Sequence, residues 1–249
     1  MSSALDRAPI RVVVSQPMYF PWVGLLEQIR LADVFVFYDD VQFARGFFNR
    51  VQIKTSQGTP WLTVPTVGKS QDLKINEVRL ESGVDWRMAH RAVLAHAYAK
   101  AKYRDDMLAL AERAMSMPAE TLADVGRNSI MELAGYFGLL EGRRFLISSE
   151  LGIGGSGSQR LFDIVKALGG SIYITGHGAR RYLDHELFER DGIAVEYMKY
   201  EMRPYPQLYG AFTPFVTALD LAANCGREGR SFISSGTVGW RDFEPLLQE

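Results

Sequence analysis

The chain has one cysteine, Cys225, and four histidines among its 249 residues. A lone thiol cannot close an internal disulfide or supply a thiolate-rich metal centre, which fits a reducing compartment. Net charge is also scarce: 28 Lys and Arg stand against 29 Asp and Glu, a balance of -1 at neutral pH. Such a chain has no general attraction for a phosphate backbone or an anionic membrane, so nucleic acid is not an expected partner. No apolar run approaches the roughly 20 residues of a membrane span, and residues 1–10 (MSSALDRAPI) do not read as a signal peptide. The expectation is a soluble, cytoplasmic protein without a membrane span. H-E-x-x-H, paired His/Cys spacings and the G-x-S-x-G elbow are missing as well, which disfavours a zinc hydrolase or an α/β-hydrolase and leaves no metal ligands to name.

What is there is ample apolar material: 47% hydrophobic and 12% aromatic residues, enough for one α/β core with an added subdomain. Residues 10–15 (IRVVVS) and 34–38 (VFVFY) are short β-branched or aromatic runs suited to strands buried on both faces. Between them Pro17 and Pro21 stiffen a turn, and Val23, Leu26 and Ile29 set a helix over 22–32. Runs at 61–67 and 75–80, separated by a polar link at 68–72, predict an antiparallel hairpin. Residues 85–138 are helical in pattern, broken at Lys102-Tyr103 and Met117-Pro118, which predicts about three helices.

From residue 144 the pattern alternates: strands at 144–148, 171–175 and 194–197, helices at 159–168 and 179–190, and a last helix at 214–224. The predicted fold is α/β, a mostly parallel Rossmann-like layered sheet carrying a β-hairpin and a helical insertion. Residues 10–226 make one domain in this reading, with residues 1–9 flexible and residues 227–249 a loosely held tail.

Ligands in such sheets bind outside the carboxyl ends of the strands, so the candidate site lies in the loops that follow them. The turn after the first strand offers Gln16, Tyr19 and Trp22, pre-positioned by the two prolines. The second strand ends at Asp39 and Asp40, followed by Gln42. Paired carboxylates could hold an amine or act as a base, although neighbours on an extended chain point opposite ways, so one of them is expected to cap a turn. Asn49, Arg50 and Lys54 add donors for a phosphate or carboxylate, or else simply pair with nearby charges. The glycine-rich residues 152–158 run from strand to helix without a full P-loop pattern, and read as a lid or linker more than as an anion cradle. His177, between two glycines, is the imidazole best placed for acid/base work, with Arg180 just beyond it. Cys225, at a helix C-terminus where the dipole opposes a thiolate, is set aside.

In order, QPMYFPWVG, ADVFVFYDDVQF, NRVQIK, WLTVPTV, ISSEL, YITGHGARRYL, and YPQLYGAF with TALD resemble the WbqC-like family over most of the chain. Many members open the first block with His-Gln-Pro; here Ser15 precedes Gln16, so no histidine role carries over. The opening also resembles nucleotidyltransferase-like folds, but residues 21–25 hold no H-x-G-H histidines.

The WbqC-like resemblance implies a gene of bacterial surface-polysaccharide (O-antigen) or specialised-metabolite biosynthesis. It suggests an aminoacyl or acyl transferase moving its group from a carrier-protein thioester to an amine, such as a nucleotide-linked amino sugar. No cofactor is required beyond a phosphopantetheine-linked donor. His177 or Asp40 would be the base, Gln16 and Asn49 would orient or donate, and Arg50 or Arg180 would hold an anionic handle. The blocks add Ser149, Tyr205 and Gln207 to the substrate-binding set. The alternatives are a nucleotide-dependent ligase or nucleotidyltransferase, and a non-catalytic sugar- or carrier-binding protein.

Overall fold

The computed structural model describes residues 8–44, 46–68 and 72–243. Strands β1 (Arg11–Ser15), β2 (Val34–Phe37), β5 (Arg144–Ile147), β6 (Ile172–Thr175), β7 (Ala194–Tyr200) and β8 (Ser235–Gly239) form one sheet in the order β5-β2-β1-β6-β7-β8. All neighbours are parallel except β7 and β8. The chain builds outward from β1 to β5 and then returns to lay β6 on the other flank of β1. Strand order therefore reverses between β1 and β6, the position at which ligands enter such sheets.

Alternation along the strands divides the core. Val12, Val34, Val36, Tyr173, Val195 and Tyr197 face helices α5 (Gly157–Ala167) and α6 (His185–Arg190). Val13, Phe35, Phe37, Ile174 and Met198 face the opposite layer, with α1 (Val23–Leu31) and α7 (Ala218–Cys225). Because side chains of period two are buried on both sides, the parallel strands read as unbroken apolar runs.

Between β2 and β5 lies the predicted insertion. It is helical, holding α2 (Trp86–Ala97), α3 (Arg104–Ser116) and α4 (Leu122–Tyr136) with breaks where they were expected, and a small hairpin precedes it. Each start has a local cause in α2 and α4: Asp85 accepts from the Met88 amide, and Thr121 with Asp124 forms a capping box.

Three local expectations are corrected. The hairpin joins β3 (Arg50–Gln52) to β4 (Trp61–Thr63), turning through Thr55 and Gly58, whereas Ile75–Glu77 is a 3-10 turn. The run at 61–67 does still meet the run at 75–80 through an isolated Thr66–Leu80 bridge. The helix expected at 179–190 is divided into a 3-10 segment, His177–Arg181, and α6, because Asp184 caps a new start by accepting from Leu187 at 3.1 Å. The stretch after Arg227, expected as a loose tail, contributes β8, an antiparallel edge strand on β7. Residues 1–7, 69–71 and 244–249, on which the flexible start, part of the polar link and the tail end were read, lie outside the described residues.

Candidate functional site

The turn that follows β1 is clamped by α4. A Cβ at Gly126 would stand 2.8 Å from Pro17, so only glycine allows this approach. Ser129, one turn further along, accepts from the Phe20 amide at 3.0 Å. That bond and complete burial hold Phe20 at φ 37, a left-handed conformation unusual for an aromatic residue. The clamp inverts Tyr19, expected to offer a polar tip to substrate. Tyr19 is fully buried against Trp86, with its hydroxyl 2.9 Å from His90 Nδ1. Burial pushes the phenol up and the imidazole down to about 4, so both are neutral core groups covered by the helical insertion.

Trp22 leaves the clamp in the other direction. Its indole lies across Gly24, where an added Cβ would come within 2.2 Å of the ring, and it packs on Tyr200 with centroids 5.0 Å apart. It thereby walls a pocket shared with Glu27, Tyr200, Tyr205, Phe212 and Phe232. Gln16 is half-buried.

Beyond the carboxyl end of β2, Asp39 and Asp40 line different clefts, although both carboxylates reach the Ser148 hydroxyl. Asp39, 2% exposed, accepts from the Ser149 amide and hydroxyl at 3.1 and 3.0 Å and pairs with Arg127 at 3.2 Å. Asp40 pairs with Arg160, and Ser148 Oγ lies between the two carboxylates. Burial alone would raise the Asp40 carboxyl, but Arg160 and Ser148 more than reverse this and hold it below the ordinary value. An ion-paired carboxylate of that kind is a poor general base, which removes Asp40 from that role and makes it the anchor of Arg160.

The cleft on the Asp39 side has a volume of about 290 Å³. That on the Asp40 side is larger, about 480 Å³, and is walled by Tyr38, Gln42, Lys74, Ser156, Arg160 and Tyr182. The glycine-rich loop thus forms a cleft wall at the start of α5. Gly152, Gly155 and Gly157 all have positive φ, so the loop depends on glycine. Ser156 at the helix start makes no side-chain cap, and the first amides of α5 remain without an intrahelical partner.

Lys54, Tyr205 and Gln207 come together elsewhere. Lys54, 5% exposed, donates to Gln207 Oε1 at 2.9 Å and to the Ala211 carbonyl. Beside them is Asp220, fully buried on α7. Burial pushes its carboxyl to about 6, although Tyr205, Tyr98, Gln207 and Lys54 all favour the ionised form. Burial, then Asp220, also pushes the Cys225 thiol up, in keeping with its exclusion as a nucleophile.

His177 follows β6, with Nε2 2.8 Å from the Met198 carbonyl. A carbonyl only accepts, so Nε2 carries a proton, which makes Nδ1 the nitrogen that can take one up. The ring packs on Tyr200 and Phe243 at 5.0 and 4.8 Å. Asn49 and Arg50 line neither cleft. Asn49 reaches the Val64 carbonyl at 3.4 Å and Arg50 lies 4.3 Å over Trp61, so both stabilise the hairpin. Arg180 is exposed, 6.0 Å from the Phe243 ring.

Sequence reasoning missed Glu27, Asp220 and Arg127. Glu27 follows Val23 by four residues on the buried stripe of α1, and Asp220 is the sole charge in α7, where only Asn224 is otherwise polar. A lone acid on a buried helix face was the available signal. Among the described residues no group of three His, Cys, Asp or Glu could hold a metal ion, and no helix is long and apolar enough to cross a membrane.

An open, mostly parallel α/β sheet with polar side chains gathered at its carboxyl edge defines the class. The chain matches the WbqC-like protein family over residues 16–232 and belongs to it. It is similar to an uncharacterized protein, Rv1507c of Mycobacterium tuberculosis (strain ATCC 25618 / H37Rv), at 32% identity across 90% of this chain and 97% of that one. No solved structure gives a significant match.

Proposed function

We propose that the protein is an acyl or aminoacyl transferase of bacterial surface-polysaccharide or specialised-metabolite biosynthesis, which moves its acyl group from a carrier-protein thioester to an amine. One observation carries this reading: the cleft of about 480 Å³ at the carboxyl edge of the sheet, where Lys74 and the uncapped start of α5 border a space that can receive a phosphate, while Arg160 is taken up by Asp40 and the Ile153 carbonyl. A phosphopantetheine arm presents such a phosphate at one end and the thioester at the other.

In the reaction the amine nitrogen attacks the thioester carbonyl, the C–N bond forms and the C–S bond breaks. The proton lost by the amine passes to a base, and the departing sulfur takes up a proton to leave as the free thiol. His177 is the base in this proposal, its tautomer set by Met198, and Gln16 orients the acceptor. No covalent enzyme intermediate is needed.

Incubation of the protein with an aminoacyl-loaded carrier protein and a panel of amines, including nucleotide-linked amino sugars, tests the reading by mass spectrometry of the amide product. His177→Ala should lower the turnover number about 100-fold or more with little change in KM. Absence of product across the panel, or a fully active His177→Ala variant, would contradict it.

The same cleft supports a second reading, a nucleotide-dependent ligase, since the glycine-rich start of α5 also suits the phosphates of ATP. Stabilisation by ATP with Mg²⁺ and none by phosphopantetheine would favour that alternative.

A further inference from the structure

The pocket walled by Trp22 lies on the β7 side of the crevice and has a carboxylate in its lining. Glu27 is 2% exposed and its Oε2 has no hydrogen-bond partner. Around it stand Trp22, Tyr200, Tyr205, Phe212 and Phe232. The free space, about 20 Å³, admits one group the size of a water molecule. A buried carboxylate with one oxygen unpartnered, lined by aromatic rings, matches what a small ammonium group needs: a counter-ion and ring faces.

The charges facing Glu27 do not already neutralise it. Arg30, on the same helix, donates to the Ser235 carbonyl, and its charge favours the ionised Glu27 without offsetting burial. Arg203, at the pocket wall, pairs with Glu201. From β8 and its approach, Ser235 and the Ser234 backbone, and from α1 Arg30, hold the carboxyl down in part, while Glu201 pushes it up. Burial outweighs these and pushes the carboxyl up to about 7.

We propose that this pocket binds a primary ammonium group, with Glu27 as its counter-ion and Trp22 and Tyr200 as its walls. The bound ligand is a molecule that presents a terminal –NH₃⁺ to the pocket, whose lining also includes Met202, at φ 47, and Arg203. That this amine is the acceptor of the transfer rests on the function proposed above; the binding does not, and its test contains no donor.

The test is a titration of the protein with methylammonium chloride, read by tryptophan fluorescence and thermal shift, with potassium chloride at matched ionic strength as the blank. At pH 8 the wild type should show a saturable response, and tetramethylammonium, too large for the space, should give none. Glu27→Gln should weaken binding at least tenfold. Lowering the pH to 5 should weaken wild-type binding by up to about 100-fold, because Glu27 is then protonated. Trp22→Leu, which keeps the carboxylate, should also weaken it. An equal response in wild type and Glu27→Gln, or none in the wild type, would overturn the proposal. Methylammonium binding without any transfer activity would leave this site standing and remove the transfer reading.

Discussion

Replacing Glu27 by Gln should make the protein more stable at pH 8. The carboxyl is moved from its ordinary 4.5 to about 7, chiefly by burial. The folded state therefore binds a proton that the unfolded chain has already released between those values. The stability this confers is complete below about 4.5 and is lost as pH rises through about 7. At about 1.4 kcal/mol for each pH unit, the rise corresponds to about 3 kcal/mol, an upper figure for a group with polar neighbours. Glutamine resembles the protonated acid and carries no such penalty at high pH. Urea denaturation of both proteins at pH 5 and pH 8 measures the difference. His90, driven neutral by burial, adds stability as pH rises from about 4 to 6.5, so the wild-type curve alone is ambiguous. The gap between the two proteins is not. It should be small at pH 5 and reach about 2–3 kcal/mol in favour of the variant at pH 8. A gap of constant size would mean that Glu27 titrates normally and that the burial argument is wrong.

Asp40→Ala should cost about 3–5 kcal/mol, because it leaves the Arg160 guanidinium, with its side chain 6% exposed, without its carboxylate. Asp40→Ala combined with Arg160→Met should cost less than the sum of the two single changes, as a double-mutant cycle in urea would show. Gly24→Ala should cost about 1–3 kcal/mol and shift the tryptophan emission, since the new methyl would lie where the Trp22 indole now lies. Unchanged emission would show that Trp22 is not fixed by Gly24.

The parallel sheet was legible because β1, β2 and β6 are buried on both faces and leave apolar runs of the right length. The three insertion helices were legible from periodicity and from breaks at Lys102-Tyr103 and Met117-Pro118. The hairpin was not, since β3 and β4 have three residues each and their register depends on the turn at Thr55 and Gly58. Asp39 and Asp40 could be picked out as acids ending a strand. Their partners could not: Arg127 is 88 residues from Asp39, and Ser148 and Arg160 are 108 and 120 from Asp40. Tyr19 was misread because the turn looks open until α2, α3 and α4 close over it. β8 escaped notice because Ser, Gly and Thr dilute its apolar signal, and its stability comes from pairing with β7.

The central claim is that the cleft beside Asp40 receives the phosphate of the donor. Calorimetric titration of phosphopantetheine into wild type and into Lys74→Glu, an exposed position at the cleft wall, tests it most directly. The account predicts binding to the wild type and an affinity at least about tenfold lower, about 1.4 kcal/mol, once the charge is reversed. Equal affinity in the two proteins, or no binding to the wild type, would contradict it.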